Sequence, residues 1–321
     1  MITQLILNHL LKHLMNITIL VTAFTFISCS GLSLDEKKAE ENKKANIYYA
    51  QGTQNLVEKN YTKALEYLRK SYEINPNDSK INNNLGMAYY FKDRQELAIK
   101  HIMKAIDLES TNSDARCNLA SIYVIMKKYD LAEKEYQIVR NDLTYPHQYR
   151  VLYNLGLIKM KKGIFDEAKN YFEMSLKERE DYCPAHFALG DMAYNSNNLK
   201  EAYKNFHNSS KGTCYNEPAP HYFMGMILVQ WQKYHPAKEK FNDIVSRFPK
   251  SEYAELAKRE LKNLNSRLSL QNYNEIIPLK NRSGIDTNID TNIDTNNIKD
   301  TKDTNDTNDD TSYNNYNVQK F

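Results

Sequence analysis

Residues 85–102 read Leu85-Gly-Met-Ala-Tyr-Tyr90-Phe-Lys-Asp-Arg-Gln95-Glu-Leu-Ala98-Ile-Lys-His-Ile102, with two small residues, Gly86 and Ala98, twelve apart. That pair decides the fold. The alanine recurs in a column, Ala64, Ala98, Ala132, Ala168, Ala202 and Ala237, at steps of 34, 34, 36, 34 and 35 residues. Gly52, Gly86, Ala120, Gly156, Gly190 and Gly225 keep the same five steps. A helix–turn–helix unit used six times accounts for both columns. Where helix A crosses helix B of its own unit, and where B meets the next A, axes pack roughly 8–10 Å apart. A side chain larger than methyl would push them apart, so Gly or Ala is required at both places.

The rest of the pattern follows from the same geometry. Leu68, Ile102, Tyr136, Phe172, Phe206 and Phe241 each stand four residues after a column alanine, one turn along helix B and on the same face. Leu85, Leu119, Leu155 and Leu189 precede the Gly or Ala of helix A. Pro76 and Pro249 close helix B in the first and last units, because proline cannot continue a helix. Paired small residues at a period near 34 resemble the tetratricopeptide repeat. The resemblance implies an all-α, right-handed solenoid of six repeats over residues 45–250. Residues 251–266, apolar at Tyr253, Ala254, Leu256, Ala257, Leu261 and Leu264 with charges between, predict a C-terminal capping helix with a polar outer face.

Composition agrees. A chain that is 41% hydrophobic and 26% charged, with 24 tyrosines, is that of a folded protein. Its net charge of +3 is too weak to argue for nucleic acid. From residue 267 the character changes: Ile285-Asp-Thr-Asn repeats as a tetrapeptide and decays into Asp-Thr-Asn units. So few apolar residues predict a disordered tail over 267–321.

Residues 1–28 predict an export signal, with Lys12 in front of an apolar run from Met15 to Ile27. Phe26-Ile27-Ser28-Cys29 then resembles a bacterial lipobox. The resemblance implies that Cys29 carries a lipid and that the mature protein faces the periplasm from the outer membrane, since no Asp follows the Cys. The alternative is an uncleaved anchor with an incidental cysteine. The charged segment 29–44 reads as a tether. Of the other cysteines, Cys183 and Cys214 fall near one edge of consecutive units, where a disulfide and two free thiols both remain open. Cys117, on helix A of the third unit, predicts a half-buried free thiol.

Helix A of such a repeat lines the concave side. Its inward positions include Tyr49, Leu56, Asn83, Met87, Tyr90, Phe91, Tyr153, Leu157 and Phe187, with Tyr194, Tyr222 and Met226 further on. They predict an apolar, aromatic groove for a protein segment, anchored by its rings. The alternative is that part of this set packs inside the solenoid. Nothing points to catalysis: HExxH, Walker, GxSxG and CxxC motifs are absent, and the histidines are scattered. The expectation is therefore no catalytic residue, metal, cofactor or small-molecule substrate.

One stretch is more specific. Asp142-Leu-Thr-Tyr-Pro146, then Arg150, Asn154-Leu-Gly-Leu157 and Lys161-Lys162, sits where the step widens to 36. It resembles the six-repeat type IV pilus biogenesis lipoproteins, the pilotins called PilF or PilW. The resemblance implies binding of a secretin subunit and promotion of its assembly in the outer membrane. It places the contact in the early repeats, here Tyr49, Leu56, Asn83, Met87, Tyr90 and Phe91. A competing stretch, Arg247-Phe-Pro-Lys-Ser-Glu-Tyr-Ala254, is similar to turns in repeat lipoproteins that serve outer-membrane β-barrel assembly or cell-envelope division complexes.

Overall fold

The computed structural model describes residues 35–276. The export signal, Cys29 and the tail from residue 277 lie outside the described residues. Twelve helices of the described chain alternate as A and B: α1 (35–57), α2 (Tyr61–Ile74), α3 (Ser79–Tyr90), α4 (Gln95–Leu108), α5 (Ser113–Ile125), α6 (Tyr129–Arg140), α7 (Gln148–Lys161), α8 (Phe165–Glu178), α9 (Cys183–Asn195), α10 (Leu199–Ser209), α11 (Pro218–Gln230) and α12 (Tyr234–Arg247). A 3-10 turn, Gly212–Cys214, precedes α11, and α13 (Glu252–Ile276) follows α12. No strand occurs among the described residues. The chain forms two compact units that divide between Val151 and Leu152, inside α7.

In the first unit the B helices bury a stripe at i, i+4 and i+7. In α4 these are Ala98, Ile102 and Ala105, all at 0% exposure, while α2 buries Ala64, Leu68 and Ser71. Column glycines meet the residue four after the column alanine. A Cβ on Gly86 would stand 2.6 Å from Ile102 Cγ1 and 2.9 Å from the Ala98 carbonyl oxygen. Where the third repeat has Ala120, the partner is Tyr136, whose buried hydroxyl shares a 2.7 Å hydrogen bond with Ser121 Oγ. Asp78 and Asn112 cap α3 and α5 by accepting from the N–H groups of Ile81 and Ala115, both at 2.9 Å. Buried hydroxyls tie helices together, with Ser71 donating to the Ala45 carbonyl and Ser79 to the Ala105 carbonyl at 2.8 Å each.

In the second unit the same contact is aromatic. A Cβ on Gly156 would stand 2.6 Å from Phe172 Cε1, and Phe206 and Phe241 cover Gly190 and Gly225 in the same way. Two of its A helices start with proline and no side-chain cap: Pro184 and Pro218 stand in the first turns of α9 and α11. The capping helix is longer than expected. It continues past residue 266 to Ile276 because Leu264 and Leu268 prolong its buried stripe and no Gly or Pro interrupts it. Residues 35–44, read as tether, are already helical, in keeping with their Lys, Glu and Ala content.

Every A-to-B turn uses one residue with positive φ: Lys59, Asp93, Lys127, Gly163, Asn197 and Gln232, between 57° and 75°. The N–H after each reaches back five residues, as Arg94 to the Tyr89 carbonyl (3.0 Å) and Lys233 to the Leu228 carbonyl (2.8 Å), closing a Schellman motif. A side chain in that conformation is strained, and Gly163 alone avoids it. Gln232→Gly is therefore expected to raise stability by roughly 0.5–1 kcal/mol in urea unfolding. An unchanged midpoint would mean that the turn carries no strain.

Candidate partner-binding face

In the first unit, a seam of side-chain amides runs across α1, α3 and α5. Asn84 Nδ2 donates to Thr53 Oγ1 (2.9 Å) and Tyr49 Oη (3.3 Å). Asn83 Nδ2 donates to Asn84 Oδ1 (3.2 Å), and Asn118 Nδ2 donates to Asn83 Oδ1 (2.9 Å). Asn84, Asn118, Tyr49 and Thr53 are half-buried, so these groups stay within reach of a ligand. Burial raises the Tyr49 hydroxyl above its usual pKa, so it remains a neutral donor. Tyr90 is raised for the same reason, with the Asp93 charge adding to it.

The aromatic strip expected from sequence is divided differently. Met87 packs with Ile102, Leu119 and Ile122 in the core, and Asn83 is 6% exposed. Tyr153 and Leu157 pack around Ala168, Phe172 and Leu189, with Tyr153 5.6 Å from the Phe172 ring and 5.5 Å from that of Tyr182. Phe187 lies against Phe206 at 5.4 Å. These five side chains are enclosed by neighbouring helices and offer little open wall. Tyr49, Leu56, Tyr90 and Phe91 remain half-buried; Phe91 stacks on Tyr61 at 4.4 Å. Sequence reasoning passed over Asn84 and Asn118, although they recur 34 apart at the same helix position.

The widened turn 141–147 is fastened to the start of α5. Ser113 Oγ donates to Asp142 Oδ2 (2.6 Å), and the Thr144 N–H and hydroxyl donate to Asp142 Oδ1. Those bonds, Ser113 first, hold the Asp142 carboxyl below its usual pKa. Tyr145 donates to Asp114 Oδ1 at 2.9 Å and leaves Leu143 91% exposed. Cys117 is free, and burial pushes its thiol up to about 12, so it is an inert thiol.

In the second unit, Cys183 and Cys214 form a disulfide with Cα atoms 6.3 Å apart. It pins the connection between α10 and α11 to the start of α9. Two of its histidines are held by neighbouring chain: His186 pairs with Asn205 Oδ1 and the Glu180 carbonyl, and His221 with the Tyr215 carbonyl. Among the described residues no group of three or more His, Cys, Asp or Glu is placed to hold a metal ion. Ser251 caps α13 by accepting from the Ala254 N–H at 3.1 Å and donates to the Phe248 carbonyl. The Arg247–Ala254 stretch thus has a full account as a helix start.

The tetratricopeptide repeat family matches residues 42–78, 79–112, 113–137 and 149–182, each beginning at or near helix A of one pair. Those four stretches are tetratricopeptide repeats. This repeat chain is 27% identical over 149 residues to the type IV pilus assembly protein PilF of Pseudomonas aeruginosa, covering 46% of this chain. That match spans 59% of the relative, less than two thirds of its length. The solved structure of Pseudomonas aeruginosa PilF has the same fold, with a TM-score of 0.60 at 21% identity over 69% of this chain and 99% of PilF. So does PilW, described as a widely conserved type IV pilus biogenesis factor, at 0.58 and 17% identity over 66% of this chain and 97% of PilW. No described helix is long and apolar enough to cross a membrane.

Proposed function

We propose that this repeat protein acts by binding alone, in type IV pilus assembly, and holds an extended segment of a secretin subunit along the A helices of its first three repeats. The amide seam from Thr53 to Asn118 carries the proposal. Amides presented at one height on successive helices match the regular donors and acceptors of an extended backbone, while Tyr90 supplies an apolar edge. Similarity to PilF supports the pathway. The Cys183–Cys214 disulfide supports an oxidising compartment outside the cytoplasm.

In this reading Cys29 carries the lipid that holds the protein at the periplasmic face of the outer membrane. Cys29→Ala should then move the protein from the membrane fraction to the soluble periplasm; retention in the membrane contradicts the anchor. For the groove, Asn84→Ala with Asn118→Ala should weaken binding of a labelled secretin periplasmic region at least about fivefold, as expected for roughly 1 kcal/mol of lost hydrogen bonding. Helical circular dichroism should be retained. Unchanged affinity removes the seam from the binding site.

A further inference from the structure

The second unit carries another face that the amide seam does not reach. Phe206 and Phe223 stack at 5.0 Å, and Tyr194 meets the Phe223 ring edge-on at 5.5 Å. Tyr222 lies 5.8 Å from both Phe223 and Phe241 and 5.5 Å from Tyr253 of α13. Tyr194 and Tyr222 are only half-buried, as are Met226 and Val229 beside them on α11. Gln230 Nε2 donates to Tyr194 Oη at 3.2 Å and fixes that ring.

Helix α13 turns one carboxylate toward this face. Tyr253, Ala257, Glu260 and Leu264 fall at i, i+4, i+7 and i+11, one side of a helix. That side is the packed one: Ala257 and Leu264 are 0% and 1% exposed, and Tyr253 touches Tyr222. Glu260 is itself half-buried, and among the described residues no hydrogen bond or ion pair engages it. Burial pushes the Tyr222 hydroxyl up to about 12, with the Glu260 charge adding to it. Tyr194 is raised mainly by burial, with the same carboxylate adding to it, and its hydroxyl is held by Gln230 of α11. Arg259, the cation next to it, is exposed, and its charge acts on the Tyr222 hydroxyl in the opposite sense.

An unpaired carboxylate on the side of α13 that meets the tyrosine face has a defined complement. A guanidinium or ammonium group pairs with the carboxylate while its flat or methylene body covers a ring. We propose that Tyr194, Tyr222 and Glu260 form a receptor for an arginine or lysine of a partner polypeptide, with its apolar flanks on Met226 and Val229. This receptor is independent of the amide seam and of the secretin reading.

The test uses the full chain and a labelled peptide, Leu-Val-Arg-Val-Leu between Gly-Ser flanks, with control peptides carrying norleucine or glutamate for the arginine. The arginine peptide should bind about tenfold more tightly than the norleucine peptide, and high salt should erode that preference. Glu260→Gln should abolish the preference, and Glu260→Arg should turn it toward the glutamate peptide. Asn84→Ala with Asn118→Ala should leave it intact, which separates this face from the seam. Equal binding of the arginine and norleucine peptides, or a preference that survives Glu260→Gln, overturns the proposal. So does sedimentation showing that Glu260 instead drives self-association.

Discussion

Phe172→Ala is expected to lower stability by about 3–5 kcal/mol, the largest effect of any single truncation considered. The Phe172 ring is fully buried, lies directly over Gly156 and touches Tyr153, so its removal leaves a cavity between α7 and α8. The converse change tests the same contact. Gly156→Ala places a methyl 2.6 Å from the ring and should cost about 1–3 kcal/mol by overpacking. Gly156→Ala combined with Phe172→Leu should cost less than the two single changes added, because the smaller side chain makes room for the methyl. Urea unfolding followed by circular dichroism reads Phe172→Ala, Gly156→Ala, Phe172→Leu and the combined variant. Strict additivity would show that the two positions do not meet.

The second large effect belongs to the disulfide. Removing it as Cys183→Ala with Cys214→Ala should lower stability by about 2–4 kcal/mol, since it closes a loop across a sequence separation of 31. The loss should be local first. Among the described residues the segment 210–217 stays fastened at Tyr215, whose ring lies under the Arg247 guanidinium at 3.9 Å and whose carbonyl accepts from Arg247 at 3.0 Å and pairs with His221 Nε2 at 3.2 Å. Hydrogen exchange in that segment should therefore accelerate before the rest of the unit opens. A melting midpoint indifferent to reductant would show that the bridge does not constrain the unfolded chain.

The repeat was legible in the sequence because its main signal is spacing. Gly156 and Phe172, or Gly86 and Ile102, are sixteen residues apart in every unit, and that distance survives whatever the surrounding residues are. The groove was less legible. Position along helix A says which way Met87 or Phe187 points, but Ile102 and Leu119, or Phe206 and Phe223, decide whether anything stays open in front of it. Asparagine at 84 and 118 reads as a polar surface residue until Thr53 and Asn83 are seen to join it into a seam. The strained turns were invisible for another reason. Lys59, Lys127 and Gln232 adopt positive φ because the Schellman bonds and the helix pairing impose it, against the preference of those side chains. The length of α13 escaped because Leu268 carries the stripe into a segment whose composition reads as tail.

In the proposed function the partner lies along the A helices of the first repeats. A photo-crosslinking residue placed at Asn118 in living cells tests it most directly, with the outward, exposed Met103 as the comparison site. A crosslink to a secretin subunit is expected from position 118 and none from 103. Crosslinks of equal strength from both positions, or from 103 alone, would contradict it.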